Sequence, residues 1–150
     1  MTREINGKPL YIKDIDYRVL DVFINGQYTG WADKVTKRDK VLINQDGSRC
    51  FKLWDTELVR KQTDGKILIY ITSEHGKDCE YYHYRGREKV PAMTQTTRSR
   101  LDAFLSYYGF SRLEVHSSKK LFGVWHNGKE LEDNSWYELD FTSHELVKVN

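Results

Sequence analysis

His75, Cys79 and His83 recur at intervals of four, with Glu74, Asp78 and Glu80 among them. Interleaved with the last of these, the run Asp78–Lys89 carries three tyrosines and three basic residues. On a helix an interval of four would align three ligands for a metal ion. Gly76 and the β-forming tyrosines predict turn and strand instead, where side chains repeat every two residues. Cys79 and His83 then share a strand face, but no third and fourth ligand is at hand for a tetrahedral site. The segment reads as a half-buried thiol and a hydrogen-bonded imidazole, with no metal. Nucleophilic chemistry fares no better. Neither Cys50 nor Cys79 has an elbow or a glycine-rich oxyanion loop around it, and no phosphate-binding loop, dinucleotide fingerprint or HExxH occurs. Glu132 and Asp133 sit beside a turn and read as solvated carboxylates. No catalytic residue and no cofactor is assigned, and the expectation is a non-enzymatic protein.

What the tyrosine-rich run can do is stack, hydrogen-bond and attract negative charge. Read as a strand over Cys79–Arg85, it sets Tyr82 and Tyr84 on one face and Tyr81, His83 and Arg85 on the other, one set of tyrosines closing the core. Arg87, Lys89, Arg98 and Arg100 border it. Aromatic rings flanked by cations suit single-stranded nucleic acid, and Lys34, Lys37, Arg38 and Lys40 add a second basic cluster. A net charge of +2 is far from the strongly basic balance of such domains. Tyrosine, tryptophan, histidine and arginine are equally the anchors of protein interfaces. Trp54, which alternates with Cys50 and Lys52 opposite Phe51 and Leu53, reads as an exposed aromatic of this kind. The candidate binding set is Tyr81, Tyr82, Tyr84, Arg85, Arg87, Lys89, Arg98, Arg100 and Trp54, with a protein or ribonucleoprotein partner first and direct nucleic-acid binding as the alternative.

The elements that must position these residues are mostly hairpins. Tyr17–Ile24 alternates apolar and polar, and Asn25-Gly26 then predicts a type I′ turn into Gln27–Ala32. Lys40–Asn44 and Ser48–Trp54 flank a second turn at Gln45–Gly47. Asp55–Lys61 reads as a turn or helical turn capped by Asp55. Lys66–Thr72, apolar on both faces and hence central in its sheet, is expected to pair with Cys79–Arg85 through a turn at His75-Gly76. Gly86 and Pro91 are expected to end that ladder. One helix is predicted over Thr96–Tyr108: Leu101, Phe104, Leu105 and Tyr108 mark a single helical face, Thr96 or Thr97 is the N-cap, and Gly109 closes it. Arg98 and Arg100 fall in its first turn, against the helix dipole. Strands follow at Arg112–Ser117, Lys120–His126 and, beyond a turn at Asn127-Gly128, Trp136–Phe141.

One α+β domain over residues 1–150, mostly antiparallel β, is therefore expected. The 150 residues are 39% hydrophobic, 13% aromatic and 31% charged, and mean hydropathy is −0.71. Apolar runs fall far short of the roughly twenty residues that cross a bilayer, and no signal sequence opens the chain, so a cytoplasmic location without membrane contact is expected. Two cysteines then stay as reduced, half-buried thiols. Charge is segregated, +5 over Arg85–Lys120 and −4 over Lys129–Asn150.

Two segments carry a resemblance. Trp31–Asn44 followed by Cys50–Thr56 resembles the small SH3-like barrels of bacteriophage and mobile-element accessory proteins. Thr94–Leu105 is similar to the threonine-led amphipathic helix found there after a tyrosine-rich strand. The resemblance implies a non-enzymatic binder of host machinery, such as an inhibitor of restriction or CRISPR effectors, acting in the host cytoplasm. It implies no catalytic residue.

Overall fold

The structure is a computed structural model that describes residues 38–118 and 120–149, the backbone of 3–5 and 8–10, and Leu20, Phe23 and Ile24. Its main element is an open six-stranded antiparallel sheet. Two short strands, β1 (Arg3–Ile5) and β2 (Lys8–Leu10), pair separately. The six are β3 (Asp39–Ile43), β4 (Arg49–Leu53), β5 (Thr56–Lys61), β6 (Ile67–Ile71), β12 (Ser135–Asp140) and β13 (Glu145–Lys148), in the order β13-β12-β6-β5-β4-β3. Two further sheets pair β7 (Tyr82–Arg85) with β8 (Glu88–Pro91), and β9 (Glu114–Ser117), β10 (Phe122–His126) and β11 (Lys129–Glu130) with one another. Helices α1 (Glu74–Asp78) and α2 (Gln95–Tyr107) complete the described elements. The fold is mostly antiparallel β with two helices. No sheet closes on itself among the described residues, so no SH3-like barrel is seen.

Strand period explains the core. In β6, Ile67, Ile69 and Ile71 face inward, and the registered row Val41–Phe51–Val59–Ile69–Tyr137 continues that face across five strands. Leu101, Phe104 and Leu105 of α2 pack on it, with the Phe104 ring 5.3 Å from Phe51 and 4.9 Å from Phe23. The helix starts on Thr94, not Thr96 or Thr97: the Thr94 Oγ1 accepts from the Thr97 amide at 3.2 Å. It ends at Gly109 (φ +82°), where the amides of Gly109 and Phe110 return to the Ser106 and Leu105 carbonyls.

Several expectations are corrected. Leu20, Phe23 and Ile24 are helical rather than part of a strand. Their i, i+3, i+4 spacing fits a helical face as well as alternation fits a strand, and the buried Leu20 and Phe23 serve the core. The turn at Asn25-Gly26 and the strand after it lie outside the described residues. Asp55–Lys61 is no helical turn, because Thr56–Lys61 extends as β5 after a two-residue turn. Lys66–Thr72 does not pair with Cys79–Arg85. Its strand is central, as its two apolar faces require, but its neighbours are β5 and β12. His75-Gly76 belongs to α1, and Gly86 makes the β7–β8 turn rather than ending a ladder with β6; Pro91, paired to Tyr82, is the last residue of β8 and ends the β7–β8 ladder. Strands β1, β2, β8, β11 and β13 were not anticipated. The turn at Asn127-Gly128 forms between β10 and β11, both residues at positive φ (+49° and +78°).

Candidate binding surface

The free-standing β7–β8 hairpin presents the tyrosines. Within β7 the alternation holds. Tyr82 and Tyr84 lie on one side, where the Lys89 ammonium stands 5.1 Å from the Tyr82 ring. His83 and Arg85 turn to the other side, with Tyr81: the His83 Nε2 is 3.2 Å from the Tyr81 hydroxyl, and the Arg85 guanidinium lies 5.4 Å from the Phe122 ring and 3.5 Å from the Glu130 carboxylate. Contrary to expectation, neither set of tyrosines closes the core. Tyr81 and Tyr84 are 43% and 60% exposed, and Tyr82 is half-buried, because the hairpin stands apart from the six-stranded sheet. Arg87 at its tip and Lys89 are exposed.

Arg98 and Arg100 do not join this surface. Arg98 donates to the Leu113 carbonyl at 3.0 Å and pairs with Asp102 at 3.6 Å. Burial raises the pKa of Asp102 above the usual carboxylate value, and the amide of Leu113 and Arg98 oppose that shift. Arg100 is fully buried, its Nε 2.6 Å from the Asp39 Oδ1. With the helix starting at Gln95, Arg100 is its sixth residue and lies beyond the first turn, so the expected mismatch with the helix dipole does not arise for it, and its charge is met by a core ion pair.

Trp54 is 53% exposed, as expected, but in the β4–β5 turn and at φ +55°. Left-handed backbone is rare for a bulky residue. This turn and the hairpin occupy the same end of the sheet. Register places the start of β5 beside the end of β6, and the Thr56 Oγ1 stands 3.4 Å from Glu74, the first residue of α1. α1 in turn carries the hairpin, through the Tyr81 amide on the Gly76 carbonyl (2.7 Å) and the Ala92 amide on the Tyr81 carbonyl (3.0 Å).

Beneath the hairpin lies a cleft of about 200 Å³ that sequence reasoning missed. Pro91, Met93, Val115, Phe122 and Leu131 make its apolar lining, and Glu130, Glu132 and Asp133 its acidic rim. The Asp133 carboxylate is not merely solvated: it accepts from the Ser73 amide (2.8 Å) and hydroxyl (2.5 Å), clamping α1 to the loop before β12. Glu132 pairs with Lys148, whose ammonium pKa that bond raises. The acidic run over Lys129–Asn150 was the signal available in the sequence, without a way to see where it folds. Among the described residues no group of three His, Cys, Asp or Glu is placed to hold a metal ion. Cys50 is buried, which raises its thiol pKa, and Cys79 is exposed rather than half-buried. No described helix is long and apolar enough to cross a membrane.

No protein-family model, curated protein or solved structure matches the chain.

Proposed function

We propose that this chain is a binding protein that docks on another protein with the end of the sheet formed by the β7–β8 hairpin, α1 and the Trp54 turn. The observation that carries the reading is the exposure of Tyr81 and Tyr84, on opposite sides of the hairpin, and of Trp54 in a strained turn at the same end of the sheet. Large, stiff aromatic side chains bury much area at little entropic cost and dominate interface energetics. The charges around them favour protein over nucleic acid. Arg85 lines the same cleft as Glu130, Glu132 and Asp133 and is paired to Glu130, so phosphate there would meet a field of both signs. In line with the resemblance of two segments to phage accessory proteins, the partner class is a host defence or nucleic-acid-processing enzyme, inhibited by occlusion.

A mobility-shift titration with random duplex and single strands separates the readings. Phosphate binding weakens steeply with salt. The proposal expects no shifted band at either low or moderate salt; a band at low salt that fades with a steep salt slope would favour nucleic acid.

A further inference from the structure

Strand register builds the wall of the cleft beneath the hairpin. Val115 of β9 pairs with Val124 of β10, so the two share a face, and Phe122 falls on that face two residues earlier. Buried Met93 and Leu131 close the floor. At about 200 Å³ the cleft lies below the roughly 300–1,000 Å³ of small-molecule sites. Its room is that of one long side chain. In the run Glu130-Leu131-Glu132-Asp133, Leu131 turns into the protein and the three carboxylates stay exposed at the mouth.

Two of those charges are met within the chain: Arg85 pairs with Glu130 at 3.5 Å, and Lys148 pairs with Glu132. Asp133 differs. Its oxygens accept from the Ser73 amide and hydroxyl and from the Asn134 amide (3.0 Å), all neutral donors, and no cation pairs with it among the described residues. One negative charge is therefore left at the mouth of an apolar cleft. An apolar occupant would cover that carboxylate without neutralising it, at a desolvation cost, and an acidic occupant would be repelled. A basic side chain lays its methylene stem on apolar surface and keeps its charged head at the rim. Building on the docking of a protein partner, we propose that the cleft receives a lysine or arginine side chain of that partner, with its head at Asp133. Arg85 already lies 5.4 Å from the Phe122 ring, so Val115, Val124 and Met93 take the stem.

Titration of the isotope-labelled full chain with N-acetyl-lysine methylamide, followed through its amide NMR signals, tests this without a partner. Saturable shifts are expected at Val115, Gly123, Val124 and Leu131. The norleucine analogue, which has an apolar stem and no charge, is expected to bind about fivefold more weakly, the size of one partly exposed ion pair. The glutamate analogue is expected not to bind. Asp133→Asn keeps an oxygen for the Ser73 donors and is expected to bind the lysine and norleucine analogues equally. Should that variant unfold through loss of its clamp on α1, Val115→Trp, which fills the cleft from β9, is expected to abolish the shifts. Shifts scattered away from the cleft, norleucine or glutamate binding as tightly as lysine, a charge preference that survives Asp133→Asn, or binding that survives Val115→Trp would each overturn the proposal. No partner enters the titration, so the cleft can fail it while the hairpin still captures a protein.

Discussion

Gly76 lies against the backbone of Ala92 so closely that a Cβ on it would stand 1.9 Å from the Ala92 carbonyl oxygen. The contact docks α1 on β8 and so sets where the hairpin stands. Gly76→Ala forces the two backbones apart. It is expected to cost at least the 1–3 kcal/mol of ordinary overpacking, read as a lower denaturation midpoint, and to weaken partner binding as the hairpin shifts.

Arg100 and Asp39 form a pair that is buried on both sides. Arg100→Ala takes from the Asp39 carboxylate its buried partner, leaving the half-exposed Arg38 3.1 Å away on the other oxygen. Removing one member of such a pair costs about 3–5 kcal/mol, so urea unfolding is expected to show a large loss. Arg100→Met together with Asp39→Leu is expected to recover most of it.

These two residues show what the sequence could and could not disclose. The apolar periods that build a strand or a helix are local, so the β3–β4 hairpin, the central place of β6, the helix with Gly109 at its end and the Asn127-Gly128 turn were legible. Whether an arginine early in this helix meets solvent or an aspartate 61 residues earlier is decided by tertiary packing. Gly76 illustrates the same limit. A glycine beside a histidine reads as a turn, whereas its missing Cβ serves a close approach to a residue sixteen positions on. Likewise Ser73 and Asp133 join through a 2.5 Å hydrogen bond that no spacing announces. In the candidate set, the exposure of Trp54 could be read from strand alternation. Arg98 and Arg100 could not be excluded by residue type.

Trp54 separates stability from binding. Left-handed backbone costs a non-glycine residue about 1–2 kcal/mol, and asparagine tolerates it better. Trp54→Asn is expected to melt at the same temperature or higher, by about 2–4 °C for each kcal/mol regained, while binding the partner more weakly. Calorimetry on one sample and binding on another check the two halves.

Asp140 organises the turn between β12 and β13, its Oδ1 accepting from the Thr142 amide at 2.9 Å and the Ser143 amide at 3.3 Å. These backbone bonds hold its carboxyl below the usual carboxylate range. A depressed carboxylate contributes stability that is present above its unfolded pKa and lost as pH falls through the folded one. The Asp140 carboxyl carbon is therefore expected to titrate, by NMR, at a lower pH than an unstructured aspartate. The Thr142 amide signal should shift with the same midpoint, and Asp140→Asn should remove that shift.

The central claim, that the tyrosine hairpin docks on a protein, is tested most directly by capture from nuclease-treated bacterial lysate. Wild type is compared with Tyr81→Ala/Tyr84→Ala at two salt concentrations, both proteins having melting temperatures within about 2 °C, as substitutions at exposed positions allow. The account predicts a protein retained by the wild type at both salt concentrations and reduced at least tenfold on the variant, a loss of about 1.4 kcal/mol. Equal retention on the two proteins, or retention of the wild type's partner only when nucleic acid is left in the lysate, would contradict it.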